Sequence, residues 1–238
     1  MTFAVGRWVL VGLSLLIFLG ITERVFDRMH LSNRMALLMV AALIVGSFIN
    51  LPLYNGEDLS VQINLGGALV PVGLALYVWF KAGTIKEKAR SLFGALVTAG
   101  IIFAMGRFLT INEYALPIDV IYIYPIIAGL LGYLFGRSRK GAFISAVLGI
   151  VFFDMLHGIY LIVTNTPGLV HFGGGGIFDT IILSGVLAVV LAEVIGESRE
   201  RLQGGPSSEG RDPSVLKNLQ AADDASMLYL REEEENEE

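Results

Sequence analysis

The apolar residues of this chain are gathered into seven runs, each close to the roughly 20 residues that a helix needs to cross the hydrocarbon core of a bilayer. They extend from Val5 to Ile21, Met35 to Leu53, Ile63 to Phe80, Leu92 to Phe108, Asp119 to Phe135, Ala142 to Val163 and Ile177 to Ile195. Charge is confined largely to the segments between them. Only 16% of the 238 residues are charged, against 54% that are hydrophobic, whereas a soluble domain carries about a quarter charged residues. The pattern predicts an all-α fold: a polytopic transmembrane helix bundle of about seven spans. Arg7 is the only charge before Glu23, and no small-x-small cleavage site precedes that stretch. Residues 1–21 therefore read as a retained span and not as a cleavable signal.

Charge sets the expected orientation. The first, third and fifth connections hold Arg24, Arg28 and Arg34, then Lys81, Lys86, Lys88 and Arg90, then Arg137, Arg139 and Lys140. The second, fourth and sixth connections hold no Lys or Arg. Cytoplasmic loops carry the excess of basic residues, so the N-terminus is expected outside and the C-terminus inside. An even number of spans would break the alternation. The expected location is the cell membrane, with the lipid bilayer as the first partner.

The net charge of −5 hides two regions. Residues 196–238 hold twelve acidic against five basic residues, and residues 1–195 hold ten against twelve. This divides the chain into a transmembrane domain, 1–195, and a largely disordered acidic tail, 196–238, in the cytoplasm. GGPSSEG at 204–210 reads as a linker. Residues 214–230 have the spacing of a short amphipathic helix, a place for a cytoplasmic protein partner. No basic face interleaved with aromatic residues suggests nucleic acid. The absence of cysteine excludes disulfides, thiolate nucleophiles and cysteine metal sites.

A few polar residues stand inside or beside the apolar runs. Asp154, in FFDMLHGIY, lies well within the sixth span. A carboxylate at that depth costs about 2.5–3.5 kcal/mol on insertion scales, so it faces protein or a water-filled cavity. His157 follows at i+3 on the same helical face, where the two side chains can share a proton. One D-x-x-H pair is not a metal site. His171, Asp179 or Asp119 would have to complete it, and neither a metal nor a cofactor is assigned. Asp179 follows the glycine run 173–176 at the start of the seventh span, and Asp119 and Asn64 open two other descending spans. All three have a structural explanation as helix caps. Arg107 and Asn50 close ascending spans, where Arg107 can snorkel to the interface or pair with Asp119 or Asp154. The outward hairpins thus repeat a polar residue on the way up, Asn50, Arg107 or Asp154, and another at the start of the way down. Small residues, Gly132 with Gly136 and Thr180, Ser184, Ala188 and Ala192, form stripes suited to close helix packing.

Three functional readings follow. The polar set Asn50, Asn64, Arg107, Asp119, Asp154, His157 and Asp179 favours a small transporter or permease for a polar substrate or ion, with proton coupling through Asp154 and His157. An intramembrane aspartyl protease is the enzymatic alternative, with Asp154 and Asp179 as the dyad; transport is favoured over catalysis. A non-catalytic membrane scaffold acting through the tail is the third.

At GSFINLP (46–52), INLGGALVPVGLALY (63–77) and GGGGIFDTIILSGVLAVVLAE (173–193) the chain resembles an uncharacterised family of prokaryotic multi-pass membrane proteins, domain-of-unknown-function family 1614. The resemblance covers most of residues 35–195. It implies a shared fold and a bacterial or archaeal source, and it transfers no activity. Asp154 and Asp179 on successive spans, the second after glycines, are similar to the arrangement in presenilin-like intramembrane aspartyl proteases. The chain departs from that pattern where Ile177 and Phe178 separate the glycines from Asp179, where Phe153 stands in place of tyrosine, and in lacking a P-A-L element.

Overall fold

The computed structural model describes residues 20–22, 25, 33–109 and 120–202. The expected first span (apart from its last two residues), Asp119 and the tail beyond Leu202 lie outside the described residues. In chain order the elements are helix α1 (Asn33–Gly46), strands β1 (Asn50–Asn55) and β2 (Leu59–Asn64), and a π-helical turn (Leu65–Leu69) that runs into α2 (Val70–Phe80). Then come α3 (Ile85–Leu109), α4 (Val120–Gly136), α5 (Arg139–Val163), strand β3 (Gly168–Phe172), a 3-10 turn (Gly176–Phe178) and α6 (Thr180–Leu202). The chain divides into two compact units, Met1–Val194 and Ile195–Glu238; the described part of the second is the end of α6.

The fold is mostly helical. Among the described residues two helices are long and apolar enough to cross a membrane, Ile85–Arg107 and Arg139–Val163. The segments Arg34–Gly46, Leu65–Phe80, Ile123–Gly136 and Thr180–Gly196 are shorter apolar helices.

Helix α5 is the centre of the first unit. Every residue from Gly141 to Ile150 is buried, as expected of a helix enclosed by others on all sides. Small residues set how closely its neighbours approach. A Cβ on Gly132 of α4 would meet the Ala146 Cβ at 2.7 Å, and one on Gly149 would meet the Thr98 side chain of α3 at 2.7 Å. Ala188 and Ala192 of α6 pack against Ala142 and Ala146. In a bilayer, where lipid tails are as apolar as leucine, such close contact is a main source of helix association. The cap of α5 is Ser138, whose Oγ accepts from Gly141 N at 2.9 Å and donates to Glu87 Oε1 of α3 at 2.6 Å. That bond ties the α4–α5 corner to α3.

An all-helical architecture is not what the chain adopts. The expected second span through Leu53 ends at Gly46, and the third begins after β2. Between them β1 and β2 form an antiparallel hairpin, with Asn50 opposite Asn64 and a bulge between Pro52 and Tyr54. Strand β3 joins β2 in parallel, with Gln62 opposite His171. Three features stop the helix. A Cβ on Gly46 would lie 2.6 Å from the Gly66 backbone nitrogen, so the α1 end is pressed against the π turn. Pro52 lacks the N–H that a helix interior requires and is tolerated on the edge strand β1. A short loop, residues 56–58, connects the two strands, closed by Gly56 N donating to Leu59 O at 2.9 Å. The sheet lies beside the C-terminal end of α5: Gly168 abuts the Leu161 side chain and Val170 comes up to Gly158.

Candidate functional site

Two helix starts meet beneath the sheet, and neither is a regular α-helical turn. The π turn leads into α2 and the 3-10 turn into α6, and the two turns contact each other. Glycines permit this. Gly67 and Gly173 face one another backbone to backbone, and Gly173 holds φ at +72°, a conformation that side chains disfavour.

Asn64 holds the first of these starts. It is 1% exposed, and all its bonds are made inside the protein. Its Nδ2 donates to Ser47 O at 2.8 Å and to Asn50 Oδ1 at 2.7 Å, while its Oδ1 accepts from Gly67 N at 2.7 Å. His171 of β3 brings Nε2 to 3.2 Å from the same Asn50 oxygen. That oxygen is an acceptor, so Nε2 carries the proton in this pairing. The sequence signals Asn50 and Asn64 as polar residues at helix ends. The structure joins them in one network and adds His171 to it through the sheet.

Asp179 holds the second start. Its Oδ2 accepts from Gly175 N at 3.0 Å and its Oδ1 from Ile181 N at 2.8 Å. It is thus a helix cap, and one with both oxygens fixed. The charge of His171 falls within its electrostatic reach, and so does the carboxyl of Asp154.

Asp154 is the sixteenth residue of α5, about 14 Å from the Val163 end at 1.5 Å per residue. The residue is partly buried, and the Asp179 carboxylate lies within its electrostatic reach. Among the described residues the Asp154 side chain makes no hydrogen bond. His157 does not bond to it. Its ring stacks on Phe153, with centroids 6.3 Å apart, and lies within electrostatic reach of Arg107. No direct hydrogen bond between Asp154 and His157 accompanies this aromatic placement among the described residues.

Arg107 belongs to a separate group. Its guanidinium lies 3.2 Å from the centre of the Tyr160 ring and 5.3 Å from that of Phe103. Tyr124 extends the aromatic run, edge-on to Phe153 at 5.4 Å. The structure therefore brings Asn50, Asn64 and His171 together by hydrogen bonds. Asp154 and Asp179 lie within electrostatic reach of each other, and so, separately, do His157 and Arg107. Asp119 lies outside the described residues. No group of three or more His, Cys, Asp or Glu side chains suited to a metal ion occurs among the described residues.

This arrangement makes a direct prediction. The chain has no cysteine, so cysteines introduced together at positions 154 and 179 are expected to be joined by a short, flexible bifunctional thiol reagent in native membranes. Each single cysteine would be shown to react alone. Failure of the pair to join would separate the two carboxylates.

Comparison with protein-family models matches residues 27–191 to a family described as a protein of unknown function, DUF1614. No curated protein and no solved structure matches the chain.

Proposed function

The chain belongs to the DUF1614 family, and we propose that it is a multi-pass membrane permease for a small polar solute or ion, exchanging a proton at Asp154. The observation that carries this reading is the Asp154 carboxyl, part-way along a helix long enough to cross a membrane and within electrostatic reach of an aspartate fixed by a broken helix start. Ionisable groups at such depth mark ion and substrate paths by default. Helices interrupted at the level of the site are a recurrent way to bind substrates within a bilayer.

The membrane setting has further support. Leu38, Phe48, Phe93, Leu96, Leu134 and Ile162 are all more than half exposed, an apolar exterior suited to lipid. Alternation of basic residues between connections supports seven spans in the cell membrane, with the acidic tail in the cytoplasm.

Reconstitution into liposomes with an entrapped pH-sensitive dye tests the proposal. At least one class of small solute is expected to move protons across the bilayer faster than in protein-free liposomes. A panel of anionic, neutral and cationic solutes that moves neither protons nor itself would sink the permease.

One observation favours a second reading, an intramembrane aspartyl protease: the two aspartates are within reach of each other. Against it, both oxygens of Asp179 are already engaged by backbone amides, whereas a hydrolytic dyad shares its proton between two carboxyls that face the scissile bond. Labelling by a transition-state analogue of aspartyl proteases would reverse this preference.

A further inference from the structure

We infer that the corner where α3 begins and α4 turns into α5 binds the headgroup of an anionic phospholipid, whose acyl chains lie on the apolar helix surface beside it. The inference uses the membrane setting of the proposed function and is independent of transport. It starts from two bonds. Ser138 Oγ donates to Glu87 Oε1 at 2.6 Å, and Arg90 Nη2 donates to Gly136 O at 2.5 Å. They draw together connections that lie 51 and 46 positions apart in the chain. Lys86, Lys88 and Arg90 of the first two turns of α3 therefore stand beside Arg137, Arg139 and Lys140 at the start of α5.

The charge gathered at this corner is not balanced there. Residues 81–90 and 137–140 hold seven basic residues against one acidic, Glu87, and that carboxylate is engaged by Ser138. Lys88 and Arg90 bond to backbone carbonyls, of Phe80 and Gly136, which orient them without neutralising them. Among the described residues no carboxylate pairs with Lys86, Arg137, Arg139 or Lys140. Like charges held together repel one another, and an anion among them relieves that repulsion. A phosphate also suits the guanidinium fork, which can donate two parallel N–H bonds to it.

The surface next to these charges is apolar and open. Phe80, Ile85, Phe93 and Leu134 are all more than half exposed. Phe93 and Leu134 come from α3 and α4, which touch at this level: the rings of Phe93 and Phe135 meet edge-on with centroids 6.0 Å apart. Phe93 is one helical turn beyond Arg90, about 4.5 Å along the axis. A ligand charged at one end and apolar at the other satisfies both surfaces, whereas a soluble anion or an acidic peptide satisfies only the charges. Clusters of about four to eight Lys and Arg beside a spanning helix attract anionic lipid in this way.

The test is native mass spectrometry of the purified full chain with phosphatidylglycerol or phosphatidylcholine of identical acyl chains. Phosphatidylglycerol is expected to bind about tenfold more tightly. Arg137→Gln, Arg139→Gln and Lys140→Gln, made together, are expected to abolish the preference. Arg137→Lys with Arg139→Lys keeps the charge and is expected to retain most of it, which separates loss of charge from failure to fold. Arg211→Gln, Lys217→Gln and Arg231→Gln change the net charge of the tail by the same amount and are expected to leave the preference intact. Equal binding of the two lipids, a preference that survives the first three substitutions, or one lost equally in the tail variant would each overturn the inference. So would glycerol 3-phosphate binding as tightly as the lipid, which would mark a site for a free anion with no use for the apolar surface. The permease fails separately: selective lipid binding without solute flux would remove transport and leave the site. A chain that does not enter membranes would overturn both.

Discussion

Gly67→Ala is expected to cost about 3 kcal/mol or more and to leave little folded protein. A Cβ at this position would fall inside van der Waals contact of the Gly173 carbonyl oxygen, with the carbonyl carbon at 2.8 Å and the Gly173 Cα at 2.9 Å. Overpacking usually costs about 1–3 kcal/mol because a side chain can move aside. Here the obstacle is backbone, held from both sides. Gly67 N is bonded to Asn64 Oδ1 at 2.7 Å, and Gly173 O accepts from Gly176 N at 2.9 Å. Relief requires the π turn and the 3-10 turn to part, which breaks the Asn64 network and shifts Asp179. Gly73→Ala is the control. Nothing lies within 4 Å of a Cβ there, and in the interior of α2 alanine is preferred to glycine by about 1 kcal/mol. Thermal unfolding of the two purified variants reads the difference. A Gly67→Ala protein as stable as Gly73→Ala would show that the two turns do not meet as described.

Asp154→Asn is expected to reduce solute or proton flux at least tenfold while leaving the thermal midpoint unchanged or higher. The amide has nearly the volume of the carboxyl, so packing around α5 is kept. It cannot carry a charge or a transferable proton, so any cycle that uses either is stopped. Stability is preserved because the protein gives the Asp154 carboxyl no hydrogen bond to lose and places a second carboxylate near it. Asp179→Asn is expected to behave differently. One of its two side-chain atoms would become a donor, so one of the bonds from Gly175 N and Ile181 N must go. Loss of a cap costs about 1 kcal/mol and up to 2. The pair of variants therefore splits function from stability: position 154 changes rate alone, and position 179 changes both. Unchanged flux in Asp154→Asn with a validated substrate would remove Asp154 from the mechanism. A lowered midpoint would mean that its carboxyl has a structural partner.

The helices were largely legible in the sequence because each is a continuous apolar run. The expected spans Leu92 to Phe108 and Ala142 to Val163 fall within α3 and α5. Of the small-residue stripes, Gly132 packs on Ala146, Gly136 meets the start of α5, and Ala188 and Ala192 pack against Ala142 and Ala146. Asp154 stood out because a lone carboxylate in an apolar helix has no local explanation. The sheet was hidden for a related reason. Leu51, Leu53, Ile63 and their neighbours are as apolar as the ends of spans, so a hydropathy window merges them into α1 and α2. The local signals that contradict it, Pro52 and Asn55-Gly56, occupy three positions. Asn50 and Asn64 read as separate helix caps because their pairing is set by strand register. His171 was visible only as a spare ligand, since its bond to Asn50 spans 121 positions. The stacking of His157 on Phe153 was likewise beyond reach, because i+3 spacing fixes a shared face and not a rotamer.

The parallel pairing of β2 with β3 also bears on how the protein is made. Gln62 and His171 are about 109 positions apart, and α2, α3, α4 and α5 are all synthesised between them. A two-stranded hairpin alone is marginal in water, so β1 and β2 leave the ribosome with nothing firm to lean on. The open edge of β2 stays a template for foreign strands until α5 has formed and the chain has turned back along the strand. Contacts of such long range form late. The asparagine network and the Asp179 cap are then the last parts of the first unit to assemble, after its long helices are in place. A nascent chain interrupted between α5 and β3 holds its long helices, lacks the site altogether, and exposes a bare strand edge that the finished protein never shows.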